Sequence, residues 1–539
     1  MLKQMEDKCA GRQCDMKRFH VTGNCVRDKH YMVDTTEKIN TIIEDYIQQG
    51  SYFTINQARQ YGKTTTLYLL EEKLKETYIV LNLSFESADE YFKSALNLAE
   101  GLMMDIGDSL MRQDISPKIL EEWNSPVSER FPMRTLGNKI SRLCSECPKE
   151  IILMIDEVDK SSYNQIFLSF LGMLREKYQK QLAGIDRTFK SVILAGVYDI
   201  KNLKLKLHPG EEIKNNSPWN IAADFLVDMS FSSKEIESML LKYEDDYHTG
   251  MDITMISQLL YEYTSGYPYL VSRICQLLDE RIAGSCTFPD KKAAWTKEGI
   301  LEAVRILLKE PNTLFDDMIK HLQEYPKLSE MLKNILFQGR RYTYEANAQV
   351  TQLGMMFGFL KERNQAVCVS NRIFETKLYN FFLSEEEADC GDQPDIVKNQ
   401  FIVCGMLRVE LVMKKLYEYF ESVFFDADEK FIEEEGRRIF LMFLRPIING
   451  AGNYYIEAQT RDKSRTDVIV DYRGRQFIIE LKLWRGKKYH HDGQVQLAEY
   501  LEQYHQDRGY LLTFNFNKHK QIGVTESVCD GKQILEVIV

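Results

Sequence analysis

Residues 51–66 read SYFTINQARQYGKTTT. The first six, rich in β-branched and aromatic side chains, predict a short strand. From Lys63 to Glu76 the spacing of Leu67, Leu70 and Leu74 predicts a helix with one apolar face. Gly62, Lys63 and Thr64 fall at the junction, where an α/β fold places a phosphate-binding loop. Helix N-terminal N–H groups favour an anion there. A lysine reaches the β- and γ-phosphates, and the hydroxyl after it ligates magnesium. The customary pattern is G-x-x-x-x-G-K-[ST], and Gln57 occupies the first glycine position. Arg59, Gln60, Tyr61, Gly62, Lys63, Thr64 and Thr65 are the candidate ATP-binding residues.

Outward from this loop, apolar runs at 78–85 (YIVLNLSF), 151–155 (IILMI), 192–195 (VILA) and 225–231 (FLVDMSF) predict further strands, with helical stretches between them. Such alternation implies a mostly parallel sheet covered on both faces. The run at 151–155 ends in Asp156, which suits a magnesium-binding aspartate, and Glu157 follows as a residue to orient the attacking water. Arg273, in TSGYPYLVSR, is a candidate second nucleotide sensor or an ordinary solvated helix arginine.

Composition sets outer bounds. A chain of 539 residues, 44% hydrophobic and 28% charged, reads as about three globular domains. No apolar run approaches the roughly 20 residues of a bilayer span. The N-terminus is too polar for a secretory signal, so a cytoplasmic protein without a membrane partner is expected. The 11 cysteines are scattered, which predicts reduced thiols. Cys144 and Cys147 have the spacing of half a zinc site, with no second ligand pair following at a suitable distance. The net charge of -11 confines any nucleic-acid surface to a local patch.

The middle of the chain reads as helical at 232–295 and again at 296–383. In the latter, helices at 326–337 and 347–360 and a strand at 366–370 suggest a winged helix. The acidic SEEEADCGDQPD at 384–395 predicts a linker, and residues 401–425 predict an amphipathic helix with Leu407, Leu411, Leu416 and Phe420 apolar. Together these form a linker-and-helix segment at 384–427, ahead of a last domain at 428–539.

That last domain carries the second chemistry, in RTDVIVDYRGRQFIIELK at 465–482. A strand at 466–471, a turn at 472–475 and a strand at 476–483 form a hairpin. Period 2 puts Glu480 and Lys482 on one face, and the register can bring Asp467 beside them. Two carboxylates make a hard-oxygen site for Mg2+ or Mn2+, and Lys482 can position a metal-activated water. Asp471 competes with Asp467 because it lies on the same face. Gln496 follows on the next helix, with Tyr500 one turn further on. Glu435, beside Glu433 and Glu434, is an upstream carboxylate. Arg465, Arg485, Lys487, Lys488, His490 and His491 form a basic rim.

Two resemblances gather these readings. The segment 465–482 resembles the PD-(D/E)XK nuclease superfamily, with Thr466 where the proline usually stands, and the flanks read as its αβββαβ core. Gln496 matches the glutamine that often follows that core. Residues 16–66, with FHVTG, KHYMVD and YFTINQARQYGKTTT, SPWNIA at 217–222 and GYPYL at 266–270 resemble the bacterial AAA-ATPase-like family. Members of that family often carry a C-terminal PD-(D/E)XK domain. The resemblance covers most of the chain and implies that a loop lacking its first glycine is normal. It also implies a start at Met16, with 1–15 an extension, and an ATPase core at 16–231. The expected function is an ATP-regulated nuclease using ATP and Mg2+, with DNA the implied substrate and RNA and homo-oligomerisation left open. The alternatives are a nucleotide-switched interaction ATPase that binds nucleic acid without cutting it, and a transposase-like helper ATPase that oligomerises on DNA.

Overall fold

The computed structural model describes residues 17–113, 115–160, 165–197, 219–338, 342–363, 365–389, 401–403, 406–423, 436–437, 440–441, 444, 448, 452–459, 465–472, 475–484, 486–515 and 523–539; at 452–459, 465–467 and 487, among others, only the backbone is described. The chain forms two compact units: Met1–Asp246 with Gly266–Arg273 and Asn347–Gly358, and Tyr247–Ser265 with Ile274–Ala346 and Phe359–Val539. Among the described residues no helix is long and apolar enough to cross a membrane.

The first unit is built on strands β1 (Tyr52–Asn56), β2 (Ile79–Ser84), β3 (Ile151–Asp156) and β4 (Ser191–Gly196), in the order β1-β4-β3-β2. All neighbours are parallel. Every residue of β3 and β4 is buried, because helices cover both faces. Leu81, Leu153 and Leu194 face a core that also holds Leu102, Leu136 and Phe170. These come from α2 (Ala95–Met111), α3 (Pro132–Glu146) and α4 (Gln165–Leu182), which follow α1 (Lys63–Leu74) in the chain. Val80, Ile152 and Ile193 face the opposite core, with Leu67, Leu70 and Leu74 of α1. The predicted apolar face of α1 is therefore the one that packs. Cys144 and Cys147 pack against the first core, and burial pushes the Cys147 thiol up to about 11.

The expected strand at 225–231 does not form. Among the described residues its ladder pairing with β1 is reduced to one bridge, Phe53 with Ala223, while the Phe225 ring stacks on Phe53 at 5.7 Å. The apolar side chains that suggested a strand are used instead to cover the sheet, with Phe225 and Val227 packed on the second core. Beyond it, the Phe231 N–H donates to the Gly266 carbonyl at 2.8 Å. Gly266 has φ +73, and a Cβ there would lie 1.9 Å from the Phe231 oxygen. Gly266→Ala is expected to destabilise the fold by about 2–4 kcal/mol, because both the clash and the left-handed backbone oppose a side chain. A chemical-denaturation midpoint unchanged from wild type would refute this.

The second unit opens with α5 (Ile253–Thr264), and α6 (Pro268–Leu277) follows it in the chain. Its small antiparallel sheet has the order β5-β7-β6, from Tyr342–Thr343, Leu360–Arg363 (β6) and Ala366–Val369 (β7). The helix expected at 347–360 is shorter, Gln349–Met356, and Leu360 belongs to β6. The acidic stretch expected as a linker begins inside α7 (Arg372–Asp389); residues 390–400 lie outside the described ones. The helix expected at 401–425 is instead a β8–β9 hairpin (Ile402–Val403 and Met406–Leu407) followed by α8 (Val409–Val423). Its buried stripe is Val409, Val412, Met413 and Leu416, whereas Leu411 is 39% exposed.

A six-stranded sheet completes this unit. Its strands are β10 (Gly452–Gln459), β11 (Arg465–Tyr472), β12 (Arg475–Leu483), β13 (Arg508–Phe514), β14 (Gly523–Cys529) and β15 (Lys532–Ile538), in the order β10-β11-β12-β13-β15-β14. β10 to β12 form an antiparallel meander. β13 returns parallel to β12 after the crossover helix α9 (Lys487–Gln503). Ile478, Leu511 and Ile534 of the sheet pack on Leu497, Tyr500 and Leu501 of α9. The upstream carboxylate Glu435, and most of residues 428–448 around it, lie outside the described residues.

Candidate functional site

In the first unit the C-terminal ends of β1 and β3 flank the end of β4, which lies between them. In open parallel sheets this is where ligands bind. The Gln57 N–H donates to Gly196 O at 3.1 Å and ties the loop leaving β1 to the end of β4. Gln60 (φ 56) and Gly62 (φ 81) are both left-handed, and they turn the chain so that α1 starts at Lys63. The first turn of α1 has no acidic residue and Gly62 supplies no side-chain cap, so its N–H groups suit an incoming anion.

Lys63 is 8% exposed. Its Nζ donates to Gln57 O at 2.9 Å and to Ala58 O at 3.0 Å. Burial pulls the ammonium below its ordinary pKa, and the carboxylates of Asp159, Glu157 and Asp156 oppose the shift. Two neutral carbonyls are weaker partners for a cation than a phosphate is. The lysine is thus set to exchange them for an anion that enters the loop.

Asp156 closes β3 at 4% exposure, and its Oδ1 accepts the Glu157 N–H at 2.9 Å. Glu157 takes φ 56, unusual for a residue with a side chain. Burial first, then the charge of Asp156, pushes the Glu157 carboxyl up, and Lys63 pulls it back. A carboxylate so placed is a better proton acceptor than an exposed one. The Asp159 carboxylate takes the Val197 N–H at 2.7 and 2.8 Å, so β4 and the turn after β3 share one anchor.

The other expected loop residues divide. Thr64 is exposed at the start of α1. Thr65 Oγ1 accepts the Cys25 N–H at 3.4 Å. Arg59 is exposed, and its charge acts on both Lys63 and Glu157. Arg273 is half-buried on α6, in the same compact unit. Sequence reasoning gave no role to Tyr267, whose hydroxyl donates to Arg59 O and whose ring meets Tyr61 edge-on at 4.7 Å. It also missed Gly358, where a Cβ would lie 2.8 Å from the Ala58 Cβ. The GYPYL segment held the signal for Tyr267; nothing local marked Gly358.

In the second unit, β11 and β12 pair from Tyr472 with Arg475 to Val468 with Ile479. One further step of that register sets position 467 across from Glu480. Glu480 is 1% exposed, and Lys482 Nζ lies 2.9 Å from its Oε1. Ile479 and Leu481 are buried on the opposite face, as period 2 requires. A Cβ at Gly493 of α9 would lie 3.3 Å from the Lys482 Cγ, so that glycine lets the helix sit close over the lysine.

Across the sheet, Glu480 stands beside Leu511 and Leu511 beside Glu536. Glu536 is 4% exposed; it pairs with His490 and accepts from Gln494 Nε2 at 3.2 Å. This corrects one expectation: His490 is not part of a basic rim but faces a buried carboxylate. Gln496 Nε2 donates to its helix neighbour Tyr500 at 2.5 Å. Lys488 and His491 are exposed, Arg465 and Lys487 are described only in the backbone, and Arg485 and Glu435 lie outside the described residues. The rival Asp471 is 6% exposed, near the turn, and its Oδ2 accepts the Tyr263 hydroxyl at 3.2 Å.

Comparison with known proteins bears on the part of the chain ahead of the six-stranded sheet. No curated protein matches the chain. Among solved structures, the Walker-type ATPase of Pyrococcus abyssi is similar at 13% identity and TM-score 0.45, over 67% of this chain and 99% of that one. The ORC1 protein of Aeropyrum pernix in complex with DNA is similar at 12% identity and TM-score 0.30, over 66% and 94%. The ORC2 protein of the same organism, in its ADPNP–ADP complexes, is similar at 12% identity and TM-score 0.34, over 70% and 99%. The model of the AAA-like domain matches residues 22–384 and ends ahead of the six-stranded sheet. That match spans well over half of the sequence, and the chain belongs to the AAA-like domain family.

Proposed function

We propose that the protein binds and hydrolyses ATP at the β1–α1 loop and that nucleotide state controls a metal-dependent nuclease centred on Asp467, Glu480 and Lys482. In the loop, Lys63 would leave the Gln57 and Ala58 carbonyls for the β- and γ-phosphates. Thr64 and Asp156 would hold magnesium, and Glu157 would orient the water and take its proton. Lys63→Ala is expected to weaken ATP binding by about 10- to 150-fold, the worth of a charged hydrogen bond. Titration calorimetry giving an unchanged Kd would remove the loop assignment.

The nuclease half is carried by the buried Glu480–Lys482 pair, at 2.9 Å. Withdrawing both charges from water is unfavourable, and apolar side chains would pack a sheet at least as well. Buried charges beside position 467 are what a catalytic site requires. Glu480 and Asp467 would hold Mg2+ or Mn2+, with Glu435 as a further candidate ligand and Gln496 as a further candidate catalytic residue. Such an ion supplies Lewis-acid polarisation of the phosphodiester and a water of lowered pKa. Lys482 would orient that water and offset the charge gained by the phosphate.

The test is cleavage of single- and double-stranded DNA and RNA by the full chain, with Mg2+ or Mn2+ and with or without ATP. Metal-dependent cleavage whose rate changes with ATP is expected. Nucleic-acid binding without cleavage under every condition would replace this reading with that of an interaction ATPase.

A further inference from the structure

A second buried carboxylate stands two strands away from Glu480 on the same face of the sheet. Glu480 is level with Leu511, and Leu511 with Glu536. Leu511 packs on Leu497, Tyr500 and Leu501 of α9, so both carboxylates lie on the face that α9 covers. Two residues of α9 hold Glu536: His490 through Nε2, and Gln494 through Nε2 at 3.2 Å. The His490 ring leans on Trp484 at 4.8 Å, and its Nδ1 is buried with no hydrogen-bond partner among the described residues. The imidazole is thus committed to Glu536.

The placement of this contact on α9 gives it a consequence. His490 and Gln494 are one helical turn apart, and Gly493 lies between them. A Cβ at Gly493 would lie 3.3 Å from Lys482 Cγ and 3.4 Å from its Cε, so the helix backbone rests on the lysine stem. That stem ends in the ammonium 2.9 Å from Glu480 Oε1. A helix that only had to cover the sheet would be apolar here, as it is at Leu497 and Leu501. This half of α9 instead carries a buried polar contact, which is costly to desolvate, and a glycine, which disfavours the helix.

We propose that Glu536 and His490 are positioning residues of the nuclease site, acting through Lys482. Glu536 clasps α9 on both sides of Gly493, and the helix backbone then confines the Lys482 side chain to a path that ends at Glu480. The inference rests on the reading of Glu480 and Lys482 as the nuclease pair. Because the clasp acts on Lys482 and not on the substrate, it sets kcat and leaves KM alone.

Lys532 supplies a control within the same sheet. It lies on β15, the strand of Glu536, and is held by Glu502 in the last turn of α9; its side chain is 14% exposed, against 13% for Lys482. The folded full chain is acylated with a limiting amine reagent, mass spectrometry reads the rate at each lysine, and cleavage kinetics are measured on the same preparations. Glu536→Leu keeps the volume and removes the acceptor. It is expected to raise labelling of Lys482 by at least about 5-fold while Lys532 stays within about 2-fold. It is also expected to lower kcat by about 10- to 100-fold, with KM little changed. Glu536→Gln keeps an acceptor for His490, and Gln494 can turn its amide to suit, so both readouts are expected to recover to within about 3-fold. If Glu536→Leu does not fold, His490→Ala cuts the same contact from the helix and is expected to give the same two changes. The proposal is overturned if Lys482 labelling is unchanged, if both lysines rise together, or if Glu536→Gln behaves as Glu536→Leu does. It is equally overturned if kcat of a cleaving protein is not lowered, or if neither Glu536→Leu nor His490→Ala folds. Selective labelling of Lys482 in a protein that cleaves nothing supports the clasp and removes only the nuclease reading.

Discussion

Glu157→Gln is expected to lower ATP hydrolysis by about 10²- to 10⁴-fold, the usual contribution of a positioned base. ATP should still bind, because Lys63 and the start of α1 are untouched. The geometry argues for a base rather than a charge anchor. Glu157 follows the Asp156 that would meet the metal, in a left-handed conformation, and burial with the Asp156 charge holds its carboxyl above the ordinary 4.5. A raised pKa means that the proton is held more tightly, so the working carboxylate exists only above the raised value. Hydrolysis should rise with pH through that value, on a limb shifted to higher pH than an ordinary glutamate would give. The limb should vanish in the Gln variant's residual activity. The same shift has a stability consequence of opposite sign. A carboxyl whose folded pKa lies above its unfolded one stabilises the fold at low pH and loses that stabilisation as pH rises through the folded value. At neutral pH the Gln variant should therefore melt higher than wild type. Steady-state phosphate release, with analogue binding as control, reads the first effect, and Tm reads the second. An unchanged turnover would move the base role elsewhere.

The parts legible in the sequence are those written locally. β1, the loop and α1 could be read because a β-rich run, Gly62-Lys63-Thr64 and the Leu67–Leu70–Leu74 stripe are consecutive signals. The face shared by Glu480 and Lys482 followed from period 2 alone. Partners across the fold were not legible. Asp159 meets the Val197 N–H, and Tyr267 meets Arg59, through contacts that no periodicity encodes. His490 was read by its charged neighbours Lys487, Lys488 and His491. Its spacing to Gln494, Leu497 and Leu501 was the better guide, since those positions share the inward face of α9. The 225–231 stretch shows the converse error. Apolar residues there cover the sheet without extending it, and burial alone does not distinguish the two.

Removing either member of the Glu480–Lys482 pair is expected to reduce metal-dependent cleavage by about 10²- to 10³-fold, the scale of a lost transition-state stabiliser. The difficulty is that both side chains are nearly enclosed, at 1% and 13% exposure, so a loss of cleavage could follow from damage to the sheet. Their chemistry separates the two causes. Lys482→Met leaves the Glu480 carboxylate buried without its cation, which is expected to destabilise the fold by about 3–5 kcal/mol. Glu480→Gln keeps an oxygen for Lys482 in nearly the same volume and should destabilise less. The double variant Glu480→Leu with Lys482→Met removes both charges, and replacement of a buried pair by packed apolar side chains is often neutral or stabilising. Stability should therefore fall in Lys482→Met and recover in the double variant, while cleavage stays lost in all three. Denaturant midpoints and single-turnover cleavage, measured on the same preparations with Mg2+ and Mn2+, decide the matter. If cleavage recovered together with stability in the double variant, the pair would be only a structural support, and the metal site would have to be sought elsewhere.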